Sequence, residues 1–327
     1  MTAKRIADIR VAALAQLKGD ADQLEHMQSN DIIDRRSRLM RVGIGTTIVI
    51  ALSGWLLHDN IGLLVAVLLV ITWGAAFVYF LLADDRHFDA PGQIRDRILD
   101  AVCAVVGHLS YTHSADGFDL APFRATYLIR SATDIDDTDQ AQVLRDAHIA
   151  GVHRGFQFEA AGTRVYQGAG KHRMIDFDGV LLKVLCPRQT TDRVSVLKNH
   201  GALSHGIAAP FIDMPRITFG DAAFSAQYAV YADHAADAGA LISPGVVHAL
   251  QRMKTLAGHA DIMIAWHNTE LLLAIEKSQP FLSASTPNGR AFDLDKTIVA
   301  AVETVTLLHR IIDALATADG PLPSQQT

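Results

Sequence analysis

The residues that could do chemistry are histidines and carboxylates, and three of them lie close together. Asp146, His148 and His153 fall within eight residues. Imidazole combined with carboxylate suits zinc or iron. The spacing matches no known closed metal site, however, and no second cluster is placed to complete it. We therefore expect no metal and no cofactor, and these three residues are the candidates if a metal site exists.

A second polar cluster follows a predicted strand, at Asp233-His234 and Asp237. A turn or a helix start explains this cluster as well as a site does. Ser204 lies in a stretch that loosely resembles a nucleophile elbow, but Ala202 replaces the first glycine of the G-x-S-x-G pattern. The chain also contains no H-E-x-x-H, no P-loop and no dinucleotide-binding glycine pattern. We expect no catalytic residues, and an enzyme is the less favoured class.

Two long apolar segments determine the organisation of the rest of the chain. Residues 42–57 and 61–82 carry no charged side chain. As helices with their flanks they span roughly 27 and 33 Å, and the hydrocarbon core of a bilayer is roughly 30 Å thick. The alternative, a buried helical hairpin in a soluble core, normally keeps a polar face on each helix. The pattern therefore predicts a two-helix transmembrane hairpin over residues 31–83.

Cations indicate how this hairpin is oriented. The turn between the two segments has no Lys or Arg, whereas four arginines precede the first segment: Arg35, Arg36, Arg38 and Arg41. The positive-inside rule then places both termini in the cytoplasm. We expect a protein of the bacterial inner membrane whose first partner is the lipid bilayer.

The N-terminal segment, residues 1–30, has the pattern of an amphipathic cytoplasmic helix. Ile6, Ile9, Ala13 and Leu17 recur at helical spacing and share one face. This face could pair with a second copy of the chain or with another protein. It could equally pack on the soluble domain of the same chain. The sequence leaves both alternatives open.

Charge and cysteine usage bound the function further. The whole chain has a formal charge of −6, and residues 1–41 hold eight Lys/Arg against six Asp/Glu. With Asp59 in the turn, residues 83–327 therefore carry −7, since +2 − 1 − 7 = −6. An acidic body without a basic stripe argues against nucleic acid as a partner. Cys103 and Cys186 show no metal spacing, so we expect reduced, structural thiols.

The remaining residues predict one cytoplasmic α+β domain over 88–317, followed by a disordered tail at 318–327. The pattern indicates helices at 93–109, 119–129, 244–256 and 295–315. It indicates strands at 174–185, with a bend at Gly179, and at 226–231. Residues 262–275 read as a β-hairpin with its turn at 267–270. The acidic run at 134–139 lacks the features of a calcium loop and is predicted to be a solvated loop. These elements favour a mainly antiparallel sheet flanked by helices.

One stretch carries a family resemblance. In the segment from Ile217 to Leu250, Phe224, Val230-Tyr231, Asp233, Ala238 and Ile242-Ser243-Pro244 occur in the order typical of a bacterial two-transmembrane protein family of unknown function, DUF3137. The hairpin segment followed by Gln279-Pro280-Phe281, and the Asp178-Gly179 pair, are similar as well. The resemblance implies an N-terminal arm, two close membrane spans and a soluble domain. It implies no particular reaction.

Together these patterns favour a non-catalytic role at the membrane, as a scaffold, a sensor or an assembly partner. A protein partner, or self-association through the N-terminal helix, goes with this role. The alternative is a membrane-anchored enzyme or a receptor for a small ligand or a metal. That alternative would use the His/Asp-rich positions 146–153 or 233–237.

Overall fold

A computed structural model describes residues 3–18, 90–129, 142–167, 174–199, 212–276 and 294–316. The predicted transmembrane hairpin, the acidic run at 134–139 and the C-terminal tail lie outside these ranges. Within them, no helix combines the length and the apolar character that a membrane span requires. The chain divides into two compact units, and the larger one comprises Met1–Gln16, Arg95–Thr286 and Asp293–Thr327. The sheet and the site described below belong to this larger unit.

The described ranges contain seven helices, several of which start and end close to their predicted bounds. They are α1 Ala3–Lys18, α2 Ala90–Val106, α3 Ala121–Ala125, α4 Ala222–Gln227, α5 Ala235–Leu241, α6 Pro244–Leu256 and α7 Leu294–Leu315. The start of α6 could be predicted from local sequence alone. The Ser243 side chain accepts a hydrogen bond from the Val246 N–H, and Pro244 occupies the first turn. The predicted helix at 119–129 is shorter in the structure.

In the described ranges, seven strands form an antiparallel sheet. They are β1 Leu109–Ser114, β2 Gln142–His153, β3 Phe156–Gln167, β4 Met174–Lys198, β5 Arg216–Ile217, β6 Tyr228–Ala232 and β7 Asp261–Glu276. Their order is β1-β2-β3-β4-β6-β5, and β7 also pairs with β4. Val180 pairs with both β3 and β7, and Val194 pairs with both β6 and β7. Hence β3 and β6 share one edge of the 25-residue β4, and β7 follows the other edge. The predicted antiparallel sheet with flanking helices is confirmed.

The predicted hairpin over residues 262–275 is wrong, because this stretch is the single strand β7. The polar residues at its centre lie opposite a bulge in β4. Leu185 pairs with Glu270 and Val194 pairs with Trp266, so β4 advances by nine residues where β7 advances by only four. Asn268 has a φ of 55°, and its carbonyl oxygen accepts a hydrogen bond from Thr190 Oγ1 at 3.0 Å. The Asn268 signal therefore marks a local kink and not a chain reversal.

Gly179 has a different role from the predicted bend. The β4 strand continues through it, paired with Thr163 of β3 and Glu276 of β7. A Cβ atom on Gly179 would overlap the carbonyl oxygen of Ile275. Glycine is needed here because the β7 backbone approaches closely.

The sheet buries side chains on both of its faces. We call face A the side that carries Ala161 and Leu181, where the segment 115–129 contributes Phe118 and Phe123 to a buried apolar cluster. Face B is the opposite side, which carries the buried Phe158, Leu182 and Val184. The α7 helix reaches face B, since the ring of His309 meets the ring of Phe158 edge-on at 6.0 Å.

Two further predictions concern the cysteines and the apolar face of the N-terminal helix. Cys103 and Cys186 are both buried, and they form no disulfide. Burial, followed by the charge of Asp100, raises the pKa of Cys103 to about 12. In α1, Ile9, Ala13 and Leu17 are buried within the chain itself. Self-association or partner binding through this helix stays a prediction.

Candidate functional site

A row of neighbouring side chains on face A brings charged groups together. Ala150 of β2 lies opposite Glu159 of β3, and Glu159 lies opposite Lys183 of β4. His148 lies opposite Ala161 in the same way. Directly opposed residues project from the same side of a sheet. His148, Glu159 and Lys183 therefore lie together on face A.

Lys183 is the centre of this group. Its Nζ lies 3.2 Å from Glu159 Oε2 and 3.9 Å from Glu270 Oε1. It also lies 5.8 Å from the centre of the Phe118 ring, and the side chain is only 13% exposed. Two carboxylates and an aromatic face compensate for the partial burial of this ammonium group.

Burial shifts the proton affinities around Lys183. It lowers the pKa of His148, an effect that Glu159 opposes and Lys183 reinforces. It also raises the pKa of Glu270 more than Lys183 lowers it. His148 Nδ1 lies 3.2 Å from Thr112 Oγ1, while its Nε2 lies 3.8 Å from Glu159, which is too far for a hydrogen bond. His148 is thus a neutral ring at neutral pH, held at the edge of the charged group.

A shallow cavity of about 230 Å³ opens beside these residues. Its walls come from β2, β3 and β4: Ala150, Gly151, Val152, Gln157, Phe158, Glu159, Lys183 and Leu185. Val152 and Leu185 are large apolar side chains that are 44% and 40% exposed. We call this surface the face A groove. It combines an apolar rim with a charged centre.

The structure does not bring together the two histidines of the sequence-derived metal candidates. His148 lies on face A, whereas His153 contacts α7, with Nε2 2.8 Å from Asp313 Oδ1. The two positions are five residues apart, so they project from opposite faces of β2. The third candidate, Asp146, lies next to an irregularity at Ala147, and its side chain lies outside the described part of the structure.

The second polar cluster does assemble, with one member that the sequence did not indicate. Ligand atoms of Asp192, His234 and Asp237 lie within 4.8 Å of one another, and His234 Nδ1 is 3.0 Å from Asp192 Oδ2. A hydrogen bond between the carboxyl groups raises the pKa of Asp237 and lowers that of Asp192. Asp192 was missed because it lies in the β4 bulge, 42 residues before His234.

Asp233 has a structural role beside this cluster. The Arg193 guanidinium donates to it from Nη2 at 2.8 Å and from Nε at 3.1 Å, and the Arg193 backbone N–H donates at 2.8 Å. Arg193 Nη1 donates to the Ala125 carbonyl at 3.3 Å and lies 3.1 Å from Asp213. Arg193 therefore connects β4 with β6, the end of α3 and the segment that precedes β5.

The sequence held one signal for the face A groove. Phe156 and Phe158 alternate with Gln157 and Glu159, which is the pattern of a strand with one polar face. It places Glu159 on the polar face of β3. It could not show that Lys183 and Glu270 lie beside Glu159, because they come from different strands.

A match to a protein family lies in the C-terminal half of the chain. Residues 175–317 match the model of the family described as protein of unknown function (DUF3137). The family predicted from the sequence is thereby confirmed, and this range runs from β4 to α7. It includes Lys183, Glu270 and the Asp192–His234–Asp237 cluster. The segments predicted to cross the membrane lie before it.

The DUF3137 range is the informative match. A search of curated proteins found no match. The crystal structure of the mycobacterial trehalose monomycolate transport factor A, TtfA, is similar at 12% sequence identity with a TM-score of 0.28, covering 73% of this chain and 100% of that chain. A likeness at this level carries no conclusion about this protein.

Proposed function

We propose that the protein is a membrane-anchored, non-catalytic docking domain of the bacterial inner membrane, with both termini in the cytoplasm. The support for the anchor is the pair of uncharged segments at 42–57 and 61–82, together with the arginines that precede them. The support for docking is a surface of the DUF3137 domain, the face A groove.

The observation that carries this proposal is a pair of exposed apolar side chains, Val152 and Leu185, beside the ion-paired Lys183. Lys183 is held between Glu159 and Glu270, so its ammonium group stabilises the sheet. Val152 of β2, opposite Gln157, and Leu185 of β4, opposite Glu270, remain substantially exposed beside this group. Large exposed apolar side chains that neighbour one another beside polar groups are found at interaction sites.

The groove also defines the chemistry of its partner. Two carboxylates surround one ammonium group, which leaves an excess of one negative charge when Glu159 and Glu270 are both ionised. Three neighbouring strands span about 10 Å, which is close to the diameter of an α-helix with its side chains. The occupant is therefore an amphipathic helix of a protein partner, with apolar residues around one Lys or Arg.

A crosslinking experiment tests this assignment in the full-length protein in membranes. A photoreactive amino acid replaces Val152, and the matched control carries it at Gln251, an exposed position of α6. We expect one protein adduct of defined mass from position 152 and none from position 251. A second substitution, Leu185→Asp, should abolish the adduct, because it puts a charge on the exposed apolar rim. Equal adducts at both positions, or an adduct that Leu185→Asp leaves unchanged, would refute docking at the groove.

A receptor for a divalent cation is the second candidate function. The observation that favours it is the convergence of one imidazole and two carboxylates at Asp192, His234 and Asp237. This donor set suits Zn²⁺, Mn²⁺ or Fe²⁺. Titration calorimetry of the full-length protein with ZnCl₂ and MnCl₂ tests it. Saturable one-to-one binding that is lost in His234→Ala supports a receptor, whereas identical heats in the variant and the wild type exclude this site.

A further inference from the structure

The strand β1 forms an edge of the sheet, and in the part of the chain that the structure describes it pairs only with β2. The Val152 N–H donates to the His108 carbonyl at 3.2 Å, which fixes the hydrogen-bonded positions of this ladder at every second residue. Leu109, Tyr111 and His113 lie between those positions, so their N–H and C=O groups point away from β2. The outer edge of β1 therefore presents three donors and three acceptors in a row, without a hydrogen-bond partner among the described residues.

The β1 strand lacks the features that usually block an exposed strand edge. Four of its six residues are exposed, and it contains no Lys, Arg, Asp, Glu or Pro. By contrast, β5 has only two residues, follows Pro215 and carries the exposed Arg216. The β7 strand also borders one strand, but fifteen of its sixteen residues are buried or half-buried. An exposed edge without charges or proline is a template for pairing with another strand.

Side-chain contacts with α2 hold β1 in its extended conformation. The Tyr111 hydroxyl donates to the Asp96 carboxylate, and His113 Nδ1 lies 2.6 Å from Asp96 Oδ2. Arg95 Nε lies 3.3 Å from Asp96 Oδ1, so the charges of Arg95 and Asp96 compensate each other. A strand added to this edge therefore meets an ordered backbone, which lowers the entropic cost of association.

We propose that a second copy of this chain occupies the edge, with the two β1 strands paired antiparallel about Tyr111. In this register Tyr111 lies opposite Tyr111, and Leu109 of each copy lies opposite His113 of the other. These three pairs exchange about two hydrogen bonds each, and a shift by two residues in either direction loses one pair. No pair places like charges opposite each other, so the strand is complementary to itself.

Both copies use the same edge, so the contact closes on a dimer and does not continue into a filament. The dimer is independent of the docking proposed for the face A groove, because the paired backbone groups lie at the edge of the sheet and not on face A.

Disulfide crosslinking of the full-length protein in membranes tests both the pairing and its register. The proposed register places Ser110 of one copy opposite Thr112 of the other, and both residues are exposed. Directly opposed residues lie within disulfide reach, whereas the same position in two copies is offset diagonally by about 7–8 Å, which exceeds it. We expect Ser110→Cys produced together with Thr112→Cys to give about tenfold more dimer than either variant alone. The native Cys103 and Cys186 are buried, and Gln251→Cys, at an exposed position of α6, is the control that should give no dimer.

Two charge variants at the same exposed positions test whether this edge makes the contact. Ser110→Lys/Thr112→Lys puts like charges opposite each other in the dimer, so native mass spectrometry of the full-length protein should show a monomer. Ser110→Lys/Thr112→Glu puts opposite charges there and should keep the dimer of the wild type. A monomeric wild type, equal crosslinking in the single and the combined cysteine variants, or a dimer that survives in Ser110→Lys/Thr112→Lys would overturn the proposal. A crosslink to a different protein in place of the dimer would overturn it as well, by assigning the edge to another partner.

Discussion

The contact between Arg193 and Asp233 allows a sharp test of how the sheet is held together. Arg193 lies in the β4 bulge and Asp233 directly follows β6, so their contact fixes the edge of the sheet to which β5 also belongs. The substitution Asp233→Ala removes three hydrogen bonds from Arg193, at 2.8, 2.8 and 3.1 Å. It leaves Arg193 with the more exposed Asp213 and the Ala125 carbonyl.

The size of the effect follows from burial. Breaking a fully buried ion pair costs about 3–5 kcal/mol, whereas surface pairs are worth about 0–1 kcal/mol. The Arg193 and Asp233 side chains are 25% and 26% exposed. We therefore expect Asp233→Ala to lower the free energy of unfolding by about 2–3 kcal/mol. Arg193→Lys should cost about 1–2 kcal/mol, because it keeps the charge and loses the two-pronged geometry.

Urea unfolding of the full-length protein measures these values. Trp266 is 2% exposed within the sheet, so its fluorescence reports unfolding once Trp55 and Trp73 are replaced by Phe. Arg252→Ala, at an exposed position of α6, is the control and should change stability by less than about 0.5 kcal/mol. If Asp233→Ala also stays within that margin, the contact does not stabilise the sheet as argued.

The pH dependence of the same difference is a second check. Hydrogen bonds from Arg193 lower the pKa of Asp233 below that of an ordinary aspartate, although burial opposes them. A carboxyl group whose pKa is lower in the folded protein stabilises it above the unfolded pKa, and this contribution is lost as the pH falls through the folded value. The difference in the free energy of unfolding between the wild type and Asp233→Ala should stay constant from pH 7 to about pH 5 and disappear below about pH 4.

Two further substitutions test the packing of β4. Gly179→Ala should destabilise the protein by about 1–3 kcal/mol, because the new Cβ overlaps the Ile275 carbonyl. Gly239→Ala, in α5 with open space around it, should stabilise the protein by about 0.5–1 kcal/mol. Thermal unfolding compares the two variants, and equal effects would contradict the close approach of β7. Lys183→Met should lower the free energy of unfolding by about 1–3 kcal/mol at pH 7, because it leaves the partly exposed carboxylates of Glu159 and Glu270 without their cation. Burial raises the pKa of Glu270 in the folded protein above its ordinary value, so Glu270 loses its charge early as the pH falls, and the cost measured by urea unfolding should shrink from pH 7 toward acid pH. A cost that does not depend on pH would show that Lys183 contributes packing alone.

The sequence by itself determined the local features of this protein. The α6 and α7 helices were predicted within one residue of their observed bounds, because end signals and a 3.6-residue apolar period are properties of a continuous stretch. The sequence also indicated the α+β class and the family, since strand alternation and short motifs can be read without knowing the partners. His234 and Asp237 were recognised as a polar cluster because they are only three residues apart in the chain.

The tertiary structure decided every feature that depends on which strands pair. The polar residues at 267–270 read as a turn, and only the pairing of β7 with the bulged β4 shows that the strand continues. Faces are decided in the same way, because the side of a sheet changes at each residue and shifts at each bulge. That is why His148 and His153 separate, and why Asp192 joins His234 across 42 residues. The charged centre at Lys183 likewise arises from three strands, whose register follows from tertiary packing and not from local sequence.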